Sequence, residues 1–596
     1  MAPPLSTAPT ASPPGAARAR FGMTRLKGRS RFGKSGEYAI VGVFGLLLLI
    51  APTFAVLGAL THGFVGTPRA VFTWSNITGV FSSGYVTPIK NTLLLGAVAA
   101  TICTILALVL AWILIRVPLR GQRVWSLAIV IPAAVSPLVV ALSWLALFAP
   151  HAGVVNGVWQ QWFGHDFANA YTLQAAIAVM VISYTPFAYL FIEGGVRNLA
   201  IDQEEAGRVH GASIRRTFIK VVVPALRDHI VVTWILTFVL AIQTFAVPAL
   251  LLDPVGIPTM ATAMYRAIEL GQGTPNQAAA LAVLLFIPGL VAAVVHTWRL
   301  RQYTSVGVGS TRVGHVHQAL PRWIVWGAKI VLPLYVAVAV VVPIAALVLS
   351  SFLRFPTTVI HGSDLSLSHY ATVFNDPLFG DSMQHTLLLV VGGATLGTAL
   401  ALVLGYIAVR GASPVTRSFS RFSSVFALAM PNFALAFGFL FFFTAVPFLR
   451  GTTSSLVTIG VLLTFTFVSL GIRLVSSGIA QLPRADEEAA RVSGANVVMR
   501  FRRVLIPSLT PVLISVWRAI AIAMTIELNL VVLFYKNNSI TLSVYTYLTE
   551  QGRPIGDTYA AGVMQLLFVL AVVAIVTAGE QAFRASRTRT RLRSGG

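Results

Sequence analysis

The sequence predicts an all-α polytopic membrane protein, with about twelve transmembrane helices in two parallel six-helix halves. Three observations predict it. Of the 596 residues, 56% are hydrophobic and only 10% charged, against about 25% charged in soluble domains. Mean hydropathy is +0.80. Apolar runs of membrane-spanning length recur along the whole chain, and the second half repeats the first.

The first 38 residues are rich in Pro, Ala, Ser and Arg and read as a basic, disordered cytoplasmic tail. They contain "GRSRFGKS" (Gly28–Ser35), which fits the phosphate-binding loop pattern at each fixed position. That loop needs a strand before it and a soluble helix after it. Here a Pro-rich tail precedes it and an apolar run follows, so a chance match is expected. The apolar run is also too long for the roughly 7–15-residue core of a cleaved signal peptide. Cys103 is the single cysteine, with no metal-ligand spacing around it, and no disulfide can form within the chain.

Spans are expected near 39–61, 91–115, 124–149, 171–193, 228–252 and 276–298, then 323–351, 386–409, 423–446, 453–476, 510–534 and 559–579. Each is close to the roughly 20 residues that cross the hydrocarbon as a helix. The net charge of +24 has a matching pattern. Arg and Lys cluster before span one, in alternate loops and after span twelve, and are sparse in the loops between. The positive-inside rule then puts both termini and both 4–5 loops in the cytoplasm. The basic excess sets topology and meets the lipid bilayer, and no nucleic-acid partner is expected.

The repeat is explicit. "NTLLLGAVAATICTILALVLAWILIR" from Asn91 answers to "HTLLLVVGGATLGTALALVLGYIAVR" from His385, 294 residues later. Half one is placed at 39–305, half two at 323–582, with a linker at 306–322 and a basic cytoplasmic tail at 583–596. Parallel repeats of this kind place substrate sites at their interface.

The two 4–5 loops, 202–226 and 485–509, read "DQEEAGRVHGASIRRTFIKVVVPAL" and "ADEEAARVSGANVVMRFRRVLIPSL". Glu204, Glu205, Ala206, Gly211 and Pro224 match Glu487, Glu488, Ala489, Gly494 and Pro507 at one offset of 283. Early acidic residues suit a helix N-terminus, Gly suits a left-handed stop, and Pro suits the start of the next helix. A short helix outside the membrane cannot bury itself, so docking into a partner is its natural use.

These loops resemble the "EAA" loops of binding-protein-dependent ABC importer permeases, with Gly207 where Ala is usual. The resemblance covers both halves and implies that family's all-α permease fold. It implies a partner dimer of ABC ATP-binding subunits, which bind ATP and magnesium, so this chain carries no cofactor of its own and is not itself an enzyme. It also implies an extracytoplasmic substrate-binding protein and a bacterial plasma-membrane location. Fused halves and Tyr-containing segments after spans five and eleven resemble the ferric-iron, thiamine, phosphonate and polyamine branch, with Fe(III) the expected substrate. An organic anion, organophosphonate, thiamine or polyamine is the alternative cargo. An ion-gradient-driven transporter is a rival class, but twin loops are unexplained by it. Gln243, Thr244, Arg518, Glu527 and Asn529 are candidate pathway residues, because ionisable and polar groups inside spans face cavities or partners.

Overall fold

The computed structural model describes residues 34–594 apart from 64, 67–69, 83, 200–211, 304–319 and 358–360. It is almost wholly helical. In half one, α1 (Lys34–Ala59) leads through a two-stranded antiparallel ribbon, β1 (Thr61–His62) and β2 (Val71–Phe72), to α2 (Val86–Arg116). Then come α3 (Gln122–Ala134), α4 (Pro137–Phe148), α5 (Leu173–Asn198), α6 (Ile214–Ala225), α7 (Arg227–Ile242), α8 (Ala246–Leu251), α9 (Met260–Glu269) and α10 (Pro275–Tyr303). Half two runs α11 (Arg322–Phe352), α12 (Pro377–Arg410), α13 (Pro414–Ala429), α14 (Asn432–Ala445), α15 (Leu456–Gln481), α16 (Arg484–Val492), α17 (Val497–Ile526), α18 (Leu542–Gly552) and α19 (Ile555–Ser594).

Among the described residues, nine helices are long and apolar enough to cross a membrane, and two bent pairs make up to eleven. All twelve expected segments fall on helix, but four are not simple spans. The segment at 124–149 is α3 and α4, bent by 95° at Ser136. Its counterpart at 423–446 is α13 and α14, parted at Met430 and Pro431. The segment at 228–252 ends at Ile242, and that at 510–534 ends at Ile526. Apolar composition continues past each break, which is why hydropathy alone reads straight through. Helix also extends into both basic ends: α1 starts at Lys34, inside the stretch read as tail, and α19 continues through it to Ser594.

Prolines 224 and 507 do not open new helices. Each lies in a helical run that starts ten residues earlier, N-capped by Ser213 and Asn496, whose side chains accept from Arg216 N–H and Met499 N–H. A proline removes one backbone donor and crowds the carbonyl four residues back. That carbonyl (Lys220, Arg503) lies in a π-turn in both halves, Phe218–Val222 and Phe501–Leu505, where the backbone is widened. Pro343 has the same device at Ala337–Val341.

Packing is pseudo-symmetric. In each half the second-span helix packs on the fourth and fifth (α2 with α5 and α7, α12 with α15 and α17). Matching polar bonds recur: Trp234 Nε1–H donates to Thr101 Oγ1 (2.9 Å) and Trp517 Nε1–H to Thr395 Oγ1 (3.0 Å). Thr92 Oγ1 accepts from Met260 N–H, and Thr386 Oγ1 from Leu542 N–H, both at 2.8 Å. Each half's first helix lies on the other half: α1 on α13 and α14, α11 on α4. The α1–α14 crossing is close because position 438 is Gly; a Cβ there would overlap the Ala51 carbonyl oxygen. Leu46, Ile105, Leu290, Ile330 and Leu570 are exposed on spanning helices, as a lipid-facing surface requires.

Candidate functional site: a polar lattice between the halves and a helix at one end

Four helix breaks converge where the halves meet. Inside a membrane, backbone groups freed by a break need protein partners, and the polar side chains of the breaks supply them. Gln243 Oε1 accepts from Asn432 N–H (2.7 Å) at the start of α14. Asn529 Oδ1 accepts from Phe245 N–H (2.9 Å). Glu527 Oε1 accepts from Leu530 N–H (3.0 Å), and its Oε2 from Asn432 Nδ2 (3.1 Å). Ser543 Oγ–H donates to Glu527 O (2.7 Å), and Ser136 Oγ–H to Ile526 O (3.4 Å). Both carboxylate oxygens of Glu527 thus face N–H donors near the N-terminus of α14, where negative charge is favoured.

Of the five candidate pathway residues, four meet here, in or beside the breaks: Gln243, Thr244 and Glu527 are buried and Asn529 is partly buried. Glu527 is not within a continuous span, because α17 stops one residue before it. Arg518 does not join them; it lies two and a half turns back along α17, 3.8 Å from Glu580 on α19. Asn432 was missed, although "MPNF" inside an apolar run marks a broken helix. Next to the lattice, Phe245 stacks on Phe433 (centroids 5.4 Å, 11°) and meets Tyr265 (4.9 Å) and Tyr547 (5.3 Å).

The other site is α16. Ser493 N–H bonds to Ala489 O, Gly494 N–H to Arg491 O and Ala495 N–H to Ala490 O, and Gly494 has φ +81°. This is a Schellman stop with Gly in the left-handed position that the spacing predicted. Glu487 is turned inward: its Oε2 accepts from Tyr406 OH (3.2 Å), and Oε1 forms an ion pair with Arg410 Nη1 at 3.4 Å. Arg410 Nη2–H also donates to Leu482 O (2.7 Å), at the end of α15. Glu488 faces outward, as do Val492 and Val498, 85% and 71% exposed. In half one, Arg116 Nη2–H donates to Leu199 O (3.3 Å), the same contact 283 residues earlier at the carbonyl. Glu204, Glu205, Ala206 and Gly211 lie outside the described residues.

Two fused, similarly packed helical bundles with broken helices at their interface define a membrane permease. The binding-protein-dependent transport system inner membrane component family matches this chain twice, at residues 103–301 and 397–590, and the chain belongs to that family. It is thus a permease subunit of an ABC importer, a multi-pass membrane protein. The chain is 22% identical over 572 residues to the ferric transport system permease protein FbpB of Actinobacillus pleuropneumoniae, covering 94% of this chain and 80% of that one. It is 23% identical to a putative ferric transport system permease protein, FbpB 1, of Haemophilus influenzae, covering 80% and 75%. A crystal structure of a bacterial ABC transporter that imports alginate aligns with 40% of this chain and 85% of its own, at 19% identity and a TM-score of 0.33.

Proposed function

We propose that this chain forms the translocation pathway of an ATP-driven importer for Fe(III). A separate dimer of ABC ATP-binding subunits binds ATP and magnesium and docks on α16 and on the loop at 202–226. An extracytoplasmic binding protein delivers the ion at the opposite face, and both termini lie in the cytoplasm. The observation that carries this reading is α16: a short helix with one carboxylate anchored inward on Arg410 and an exposed carboxylate and valine facing out. Glu204, Glu205, Ala206, Gly211 and Pro224 serve in half one as Glu487, Glu488, Ala489, Gly494 and Pro507 serve in half two. Anchoring matters because a docking helix transmits force only if its root is fixed to the spans, and Arg410 ends α12. The ferric relatives, aligned over most of both chains, support the cargo.

The test has two parts. Val498→Cys in whole cells is expected to label only from the cytoplasmic side, and the ATP-binding subunits are expected to co-purify with the full chain. Labelling from outside would overturn the orientation and the docking together. Radio-iron uptake by cells expressing the complete importer tests the cargo.

A further inference from the structure

The root of α16 borders a cavity of about 190 Å³. Five arginines line it: Arg410, Arg417, Arg484, Arg491 and Arg500. Its carboxylates are Glu487 and Glu488, so the lining has a surplus of three positive charges.

The arginines come from four helices. Arg410 closes α12, Arg417 lies in the first turn of α13, and Arg500 lies in the first turn of α17. Arg484 opens α16, and positions 484, 487, 488 and 491 follow the i, i+3, i+4, i+7 spacing of one helix face. That face forms one wall, with Glu487 buried and the other three exposed at the rim. Three of the five arginines thus sit in the first turn of a helix, where the macrodipole favours negative charge. Cations gathered there add to the positive potential instead of offsetting it.

Little within the chain answers this charge. Among the described residues, one ion pair lies in the cavity, Arg410 Nη1 to Glu487 at 3.4 Å, and Glu487 also accepts from Tyr406 OH. Arg417 Nη1–H donates to Gly411 O (2.6 Å), a neutral acceptor. Arg500 Nε is buried without a hydrogen-bond partner, a state that buried donors rarely keep. Glu37, the carboxylate beside the turn before α13, is taken up by Ala412 N–H (2.9 Å) and Thr416 Oγ1–H (3.1 Å).

We propose that this cavity binds a phosphate group. Guanidinium forks match phosphate oxygens two at a time. The volume is below the roughly 300–1,000 Å³ of sites for drug-sized ligands, so it suits one phosphate group and not a nucleotide. Helices α12 and α15 both end here, at Arg410 and Gln481, which puts the cavity where spans leave the bilayer. Lipid phosphates occupy that level, and basic pockets between helices on the cytoplasmic side take anionic headgroups. The cytoplasmic placement rests on the orientation proposed above. Free phosphate offers the same chemistry. Bound there, a phosphate group ties the ends of α12, α13, α16 and α17 into one root beneath the docking helix.

The site belongs to half two. By the offsets of the repeat, Arg116, Arg123 and Arg208 answer to Arg410, Arg417 and Arg491, but Ile201 and Thr217 stand where half two has Arg484 and Arg500. With Glu204 and Glu205 retained, the surplus at these positions falls from three charges to one.

The purified full-length chain carries the test. Native mass spectrometry in detergent counts retained phospholipid. Equilibrium dialysis with radiolabelled inorganic phosphate then measures binding in phosphatidylcholine discs, with and without cardiolipin. Saturable phosphate binding in phosphatidylcholine discs is expected. Arg484→Gln combined with Arg500→Gln is expected to weaken it by at least about tenfold, because hydrogen bonds between charged groups are the strong ones. Arg484 is exposed and Arg500 partly so, and insertion should be unchanged. Arg123→Gln, in half one, should leave binding as it is. Cardiolipin that displaces phosphate, or co-purifies with wild type and not with the double variant, makes the lipid headgroup the source. Phosphate binding that cardiolipin leaves unchanged makes free phosphate the source. No phosphate binding and no retained anionic lipid overturns the site, as does binding that the double variant keeps. If wild type binds neither, yet the double variant loses ATP-binding subunits on affinity purification, the arginines hold a carboxylate of the partner and the phosphate site falls. The phosphate assays use the chain alone, so their failure leaves the importer reading standing.

Discussion

The two halves share a scaffold and differ at its centre. The Trp–Thr bonds, the Thr–backbone bonds, the Arg116 and Arg410 contacts, the π-turns and the N-caps occur once in each half at matching positions. At the breaks after spans five and eleven the correspondence stops. Half one contributes an amide and an aromatic ring, Gln243 and Phe245; half two contributes a carboxylate and an amide, Glu527 and Asn529. Span five also bends by 72° at Leu226, whereas α17 runs unbroken. The scaffold bonds hold helices at fixed spacings that both halves need. The breaks sit where the two halves meet, a place the molecule has only once, and nothing requires two copies of a charge there.

The largest expected effect breaks the comparison at that centre. Glu527→Ala removes the acceptor of one buried and one partly buried N–H donor, and a hydrogen bond to a charged group contributes about 1.5–3 kcal/mol. We expect a loss of about 3 kcal/mol or more, read as lower thermal stability of the detergent-solubilised chain. Gln243→Ala strands a single donor and should cost about half as much. Equal losses would mean that the carboxylate has no special place.

Gly494→Val tests whether the coupling ends are equivalent. A Cβ at Gly494 meets nothing within 4 Å, so the cost is the left-handed backbone alone, about 1–2 kcal/mol. The chain should insert normally but retain ATP-binding subunits poorly on affinity purification. Gly211→Val should do the same if both loops dock. Full retention in the double variant would reduce both loops to connectors.

A third comparison sets α9 against α18. Glu550 is half-buried with its pKa raised to about 7 from 4.5, whereas Glu269 is exposed. A carboxyl raised in the folded state binds more protons there than in the unfolded chain. Its contribution to stability is therefore full below about pH 4.5 and is lost as pH rises to about 7. One group gives a slope of at most about 1.4 kcal/mol per pH unit. Glu550→Gln should flatten this part of the stability profile more than Glu269→Gln, whose carboxyl burial raises less. A profile unchanged by Glu550→Gln would place that carboxyl in water.

The smallest effect sharpens the symmetry. Trp234→Phe and Trp517→Phe each delete one indole–hydroxyl bond and should each cost about 1 kcal/mol. Costs differing severalfold would show that the matched scaffold is matched only in outline.

Much of this was legible in the sequence because local physics fixes it. Hydropathy located the twelve helical segments, since a lipid-exposed backbone must be helical. The 283-residue offset paired the two loops, and the Gly494 stop followed from the spacing of a short helix ahead of a chain reversal. The breaks at Ser136, Gln243 and Glu527 were not legible, because apolar composition runs through them and only a neighbouring half supplies partners for the freed backbone groups, whereas "MPNF" marks the one at Pro431. Prolines 224 and 507 looked like helix starts, since a π-turn leaves no mark in composition. Arg518 and Glu527 both read as pathway residues of one span, yet Arg518 pairs with α19 and Glu527 bonds to α14. By itself the sequence determined helices, repeat and loop motif, which depend on contacts within a few residues. Only the tertiary structure decided that the first helix of each half lies on the other half, and that four breaks meet between them beside the paired rings of Tyr265 and Tyr547. Those contacts join residues up to several hundred positions apart, and no local pattern encodes which distant surface a helix will cover.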